Sequence, residues 1–312
     1  ALFGGAGATG ALLAWYPPVV GVATAAAVLA VTTRVSGDFR AGLAAPLLLA
    51  VTPAHPFRPA VGFGDHHALD YLWLMATFAA VVYLAGTRFD RRSWLHSRSA
   101  LFAIFGGGIA IAAQLAAWRG SPLYLLPIAL YVFARTIADI YHDRDPLAMN
   151  TPLVAMLAVS ALVTGGLHLG LGWLPLYRVI TPVLVLAGAA GVVGIGVVAR
   201  ARGLDARTVL TVNLIGGTVG AAVAWLATPI VSTALSEFIG YLVRYRASGI
   251  AETQSLFAGS LGSVAAPLLL FGFVFFLGLP YALWGGYAAL VDGGRPALLV
   301  ATAYALTFTL LS

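Results

Sequence analysis

Apolar stretches of about 20 residues, the length that crosses a bilayer as a helix, follow one another along this 312-residue chain. They fall at 16–33, 41–55, 68–87, 99–117, 121–138, 150–166, 178–199, 208–233, 258–290 and 297–312. Lipid offers no water to a backbone N–H or C=O, so a segment that enters it must satisfy those groups internally. A helix does so within one segment. Only 9% of the residues are charged and the mean hydropathy is +0.94, where soluble domains carry about 25% charged residues. The sequence therefore predicts an all-α membrane protein, a polytopic helical bundle of about 10 transmembrane helices over a single domain, 1–312. The second stretch is short. The ninth is long enough to be tilted, kinked at Pro267 or Pro280, or folded back. The stretch 167–176 is apolar but too short to span, and reads as interfacial.

Composition removes several kinds of chemistry. There is no Cys, which excludes disulfides and thiolate metal sites. There is no Lys either, so all 17 basic residues are Arg, and neither a Schiff-base lysine nor a lysine-dependent phosphate loop is available. The net charge of +6 reads as loop arginines of a membrane protein and not as a nucleic-acid surface. Two glycine patterns, Gly5 to Gly10 and Gly194 to Ala199, match dinucleotide fingerprints in spacing alone. Each lacks the preceding strand or the following acid that such a site needs. The small residues at Gly194, Gly196, Gly216 and Gly220 read instead as places where helices approach closely.

The arginines give an orientation. Twelve occupy one set of alternate loops: Arg34, Arg40, Arg88, Arg91, Arg92, Arg98, Arg135, Arg144, Arg200, Arg202, Arg207 and Arg295. Five occupy the other: Arg58, Arg119, Arg178, Arg244 and Arg246. The positive-inside rule puts the larger set in the cytoplasm of a multi-pass plasma-membrane protein. Two polar spots then face the outside. One is Gly62-Phe63-Gly64-Asp65-His66-His67-Ala68-Leu69-Asp70, the other Ile250-Ala251-Glu252-Thr253-Gln254. Six predicted crossings separate them, an even number, so both emerge on one side.

On that side the acids are Asp65, Asp70, Glu237 and Glu252. Asp65 and His67, spaced i, i+2, can reach one ion from an extended or turn backbone, and Glu252 would close the site from across the bundle. Two oxygens and one imidazole nitrogen without sulfur suit a divalent ion such as Mn²⁺, with Mg²⁺ or Zn²⁺ as alternatives. Arg58, on the same loop, is placed to hold an anionic substrate group or to orient a carboxylate. Asp70 and His66 stand behind these as outer partners or as polar surface, and His55 and His168 as interface residues. The competing structural roles are a helix N-cap for Asp65 and a lipid-headgroup contact for Arg58. A second run, Asp139-Ile140-Tyr141-His142-Asp143-Arg144-Asp145, also has metal-site composition, but its mixed charge reads as a solvated loop.

These residues resemble the archaeal oligosaccharyltransferases of the AglB type, relatives of bacterial PglB and of the eukaryotic catalytic subunit. The family's second acidic motif, Gly-Phe-x-Asp-His-His-x-x-Glu, stands here as Gly62-Phe63-Gly64-Asp65-His66-His67-Ala68-Leu69-Asp70, with Asp at the last position. Its Thr-Ile-x-Glu or Ser-Val-x-Glu motif stands as Gly249-Ile250-Ala251-Glu252, which departs at the first position. An Arg shortly before the acidic motif falls on Arg58. If the first stretch here is the family's second helix, the two motifs follow helices three and nine, as in the family, and the likeness covers nearly the whole chain.

The resemblance implies a GT-C-type glycosyltransferase transmembrane domain. It implies Asp65, Glu252 and Arg58 as catalytic residues, and Asp65, His67 and Glu252 as metal ligands. It also implies transfer of a glycan from a dolichol-linked phosphate or pyrophosphate donor to Asn of an Asn-x-Ser/Thr acceptor protein. The family's first acidic motif and its Trp-Trp-Asp-Tyr-Gly motif are not in this sequence, so the chain reads as a piece of a longer protein, without the first helix and a soluble C-terminal domain. No Arg follows Glu252 before Arg295, which leaves no match for the bacterial arginine that selects an acid before the acceptor Asn. The alternatives are another lipid-sugar glycosyltransferase, such as an O-mannosyltransferase relative, and a lipid-sugar transporter or flippase. A transporter predicts internal repeats and polar residues at membrane mid-depth. A soluble phosphoesterase of the Asp-His-His kind would need acidic clusters on strands.

Overall fold

The computed structural model describes residues 6–53, 55–56, 58–63, 67–90, 92–247 and 265–311, and they form helices and turns with no strand among them. In chain order the helices are α1 (Ala6–Ser36), α2 (Phe39–Val51), α3 (His67–Gly86), α4 (Arg98–Ala117), α5 (Leu126–Tyr141) and α6 (Pro146–Leu171). They continue as α7 (Leu176–Ala201), α8 (Ala206–Ala227), α9 (Pro229–Ala247), α10 (Ala265–Phe271), α11 (Phe273–Asp292) and α12 (Pro296–Leu311). Eight segments are long and apolar enough to cross a membrane: α1, α3, α4, α5 with the turn before it, α6, α7, α8 and α11. Two shorter apolar helices, α2 and α12, accompany them among the described residues. The helical bundle expected from hydropathy is thus the fold.

Three predicted stretches are cut differently, each for a local backbone reason. The eighth divides between α8 and α9, because Pro229 disfavours helical torsions at the residue before it. Thr228 is accordingly extended, with φ −123° and ψ 97°. The ninth breaks at neither proline. Pro267 lies in α10 and Pro280 inside α11. The break is Gly272, at φ 63° and ψ −158°, a conformation that essentially only glycine adopts. The stretch 167–176 is not a separate piece: α6 runs on to Leu171 and stops at left-handed Gly172, whose N–H bonds the His168 carbonyl at 2.9 Å.

Small residues set the closest packing. A Cβ on Gly107 would lie 2.5 Å from Met156 Sδ and 2.7 Å from Ala80 Cβ, and one on Gly108 would lie 2.6 Å from a Val159 methyl. Helices α3, α4 and α6 therefore meet backbone to side chain at this point. Gly196 has the same function, its missing Cβ occupied by Thr136 and Pro146. Gly194, Gly216 and Gly220 face open space, so the close-approach reading fails for them. Around the α3–α4–α6 contact lie Val81, Leu84, Ile104, Leu115, Leu153 and Leu157, all almost fully buried.

Hydrogen bonds identify the two ends of the bundle. Arg34 Nη2 donates to Thr87 Oγ1 at 3.2 Å, Arg200 pairs with Asp143 at 3.2 Å, and His142 Nε2 donates to the Leu290 carbonyl at 2.8 Å. At the opposite end Tyr177 Oη donates to the Arg119 carbonyl at 3.3 Å. There Arg178 Nη1 donates to the carbonyls of Leu115 and Ala116 at 2.9 and 3.2 Å. That guanidinium closes the C-terminus of α4, where free carbonyls attract a cation. Arg34, Arg144 and Arg200 thus share one pole, and Arg119 and Arg178 the other. This is the alternation read from sequence, although Arg91 and the side chains of Arg244 and Arg246 lie outside the described residues.

The run 139–145 is solvated only in part: Tyr141 and Asp143 are exposed, while Asp139 is withdrawn from water. Asp139 is 0% exposed. It accepts from Arg135 Nε at 2.9 Å and from Asn150 Nδ2 at 3.3 Å. Arg135 itself lies within α5 and not in a loop. Asp145 caps α6 by accepting from the Leu147 N–H at 3.0 Å. The mixed charges form a partnered junction because α5 turns back into α6 there, and a carboxylate inside the bundle needs a cation beside it.

Candidate functional site

Helix α2 is 13 residues long, about 20 Å at 1.5 Å per residue, and cannot cross a hydrocarbon layer of about 30 Å. It runs antiparallel to α1, with Gly42 seated against Thr33 and the Leu29 carbonyl. The described residues between Thr52 and Phe63 form turns in place of a helix. Consecutive turns hold this loop: the N–H groups of His55, Arg58 and Phe63 bond the carbonyls of Thr52, His55 and Ala60 at 2.9, 3.1 and 3.1 Å. Two contacts dock it onto α1. Pro59 fills the space where Gly21 lacks a Cβ. Gly62, at φ +81°, donates its N–H to the Ala14 carbonyl at 3.0 Å. Gly21 and Ala14 stand about 22 and 33 Å above the Ser36 end of α1. The loop therefore lies along the half of α1 farther from Ser36. Non-helical backbone within a membrane is tolerated only when buried in protein or lining a polar cavity.

Helix α3 begins at the mouth of this loop. His67 opens it, and Asp70 sits one turn in with 3% of its surface exposed. His67 Nδ1 lies 3.7 Å from Asp70 Oδ2. A carboxylate in a first helical turn also sits favourably against the helix dipole. The imidazole of His55 stacks on Tyr71 at 5.7 Å and 26°. Burial holds the His55 pKa below its usual 6.5, and its Nδ1 has no hydrogen-bond partner among the described residues. The Arg58 guanidinium lies 5.9 Å from the centre of the Phe63 ring.

His67 and Asp70 thus open α3, His55 stacks on the same helix through Tyr71, and Arg58 lies in the loop that docks on α1. Asp65, His66 and Glu252 lie outside the described residues, and among the described residues no three His, Asp or Glu side chains converge as a metal set. Six candidate spans separate His67 from Pro229, and Phe238 of α9 packs 6.1 Å from Tyr177 at the same pole. Phe238 of α9 therefore lies at the His67 pole. For two residues the structure shows surroundings that the sequence left open. Asp70 is buried against His67, a pairing visible in the sequence only as an i, i+3 spacing. His55 is stacked into the loop, which no local spacing announces. His168, the other lone histidine, donates from Nδ1 to the Leu174 carbonyl at 2.6 Å and closes the end of α6.

Comparison with known proteins agrees with the fold. No curated protein matches significantly. The solved structures that match are oligosaccharyltransferases of Archaeoglobus fulgidus. One, the archaeal AglB enzyme with an inhibitory peptide and a dolichol-phosphate, superposes with a TM-score of 0.74 at 21% identity, over 96% of this chain and 38% of that one. Another, tethered to an acceptor peptide containing the NVT sequon, gives a TM-score of 0.63 at 23% identity, over 98% of this chain and 36% of that one. A third, with Zn and sulfate, gives 0.62 at 19% identity, over 97% and 34%. At such identities the likeness is one of fold, and the chain spans little more than a third of the length of the proteins it matches. The family model "Oligosaccharyl transferase STT3, N-terminal" covers residues 11–290. With nine-tenths of its residues inside that match, this chain belongs to the STT3 oligosaccharyl transferase family, through the family's N-terminal region.

Proposed function

We propose that the protein containing this chain transfers an oligosaccharide from a dolichol-linked phosphate or pyrophosphate to the amide nitrogen of Asn in an Asn-x-Ser/Thr sequon, on the extracytoplasmic face of the plasma membrane. The observation that carries this reading is the loop docked on α1, which holds Arg58 and leads to His67 at the start of α3, in a chain of the STT3 family. The fold-related archaeal enzymes that hold a dolichol-phosphate and a sequon peptide support the same donor and acceptor.

The donor set suits a divalent metal. It comprises one imidazole, His67, and two carboxylates, Asp65 and Glu252, in a chain without thiols. Mn²⁺ is the preferred ion, then Mg²⁺, and the zinc in a related structure keeps Zn²⁺ in view. When bound, the metal supplies positive charge to the leaving phosphate. The remaining work falls to side chains. Asp65 and Glu252 accept hydrogen bonds from the acceptor amide and hold its nitrogen toward the sugar carbon. Arg58 offers a planar set of donors to a phosphate oxygen or a carboxylate.

The test is transfer in vitro by the full-length protein, with a dolichol-linked oligosaccharide, a labelled Asn-x-Thr peptide and Mn²⁺. Glycopeptide formed by wild type, lost on chelation and abolished by Asp65→Asn and by Glu252→Gln, establishes the reading. A glycan delivered to a hydroxyl, or transfer untouched by either substitution, rejects it.

A further inference from the structure

Resting on the metal reading above, we propose that Asp70 is a positioning residue for His67. It holds the imidazole with Nδ1–H toward its carboxylate, so that Nε2 is the nitrogen offered to the metal.

The first observation is burial. Asp70 keeps 3% of its surface exposed in the first turn of α3, in a chain that contains few acids. A carboxylate withdrawn from water is costly unless a group nearby favours its charge. The second is direction. His67 and Asp70 are i, i+3 in the first turn of α3 and so share a helix face, and the ring nitrogen nearer the carboxylate is Nδ1, at 3.7 Å from Oδ2. The two nitrogens of an imidazole point to different sides of the ring, so Nε2 is turned away from Asp70. The third is accessibility: the His67 side chain retains 16% exposure where Asp70 has almost none. The histidine is at the front of the site and the acid behind it. A helix-dipole role alone would explain an acid in the first turn. It would not require that acid to be buried against a histidine ring. Metal-bound histidines commonly donate their second N–H to a carboxylate, which fixes the tautomer and raises the basicity of the ligating nitrogen.

The experiment is Mn²⁺ titration of the purified full-length protein followed by electron paramagnetic resonance, with thermal melting in the absence of metal as the folding control. Asp70→Asn should weaken Mn²⁺ binding about 10–100-fold, the loss typical of such partners, and Asp70→Glu should restore it. In a His67→Ala background Asp70→Asn should cause no further loss. Wild-type affinity in Asp70→Asn, or an equal loss with and without His67, overturns the proposal. Failure of the parent reading is separate: wild type that binds no Mn²⁺, or binding indifferent to Asp65→Asn and Glu252→Gln, removes the metal itself. Should Asp70→Asn not fold, ¹⁵N-histidine NMR of the Zn²⁺-loaded wild type decides, with His67 assigned by its absence in His67→Gln. A proton on Nδ1 supports the proposal and a proton on Nε2 overturns it.

Discussion

An imidazole stacked on Tyr71 and short of hydrogen bonds makes the loop between α2 and α3 sensitive to acid. Burial keeps the folded-state pKa of His55 below 6.5, so the unfolded chain takes up the proton more readily. Stability is unaffected well above that value and falls as the pH drops through it. Lowering the pH from about 7.5 to about 5.5, the range in which histidine changes charge, should lower the melting temperature of wild type more than that of His55→Gln. Equal slopes would show that His55 does not sense the pH. Among the single residues, Arg58 and His67 were legible in the sequence because charge is scarce in an apolar chain, and each one in a loop stands out. The burial of Asp70 was not legible, since an i, i+3 pair reads alike whether it faces solvent or a helix. Asp139 misled for a related reason. Its neighbours in sequence are charged and suggest water, but its partners Arg135 and Asn150 come from the two helices that the turn joins.

Helix pairing depends on a few positions where a side chain would not fit. Gly107 faces Met156 and Ala80, so Gly107→Val must separate α4 from α6 and α3. Overpacking of this kind costs about 1–3 kcal/mol. Gly216→Val adds a side chain on α8 where nothing lies within 4 Å. Melting of the two variants in detergent should show a clear fall for the first and near-identity with wild type for the second. Equal effects would mean that the α4 glycines are not contact points. Hydropathy found the elements but not their ends. Gly272 lies inside an unbroken apolar run, and its break comes from torsions rather than polarity. Thr228 stops α8 because of the proline after it, a signal that a window average dilutes.

At the scale of the molecule, the two poles differ in charge, and the sequence alone showed this because loop arginines can be counted without coordinates. The chain has no Cys, which makes the polarity easy to test. A single Arg119→Cys at the pole of the candidate site should react with a membrane-impermeant maleimide added to intact cells. A single Arg202→Cys at the other pole should react only after the cells are opened. The reverse pattern would put the site in the cytoplasm. The shortness of α2 has a further consequence on the proposed reading, and it concerns the position of the donor. A phosphate carried on a long isoprenoid floats at the level its tail dictates. Raising it by one five-carbon unit would draw about 4 kcal/mol of apolar chain into water, at about 0.8 kcal/mol per carbon. That corresponds to nearly a thousandfold loss of occupancy. Because α2 stops early and the loop fills the remaining height, the site reaches down to the floating phosphate, and the lipid need not be hauled up to meet the protein.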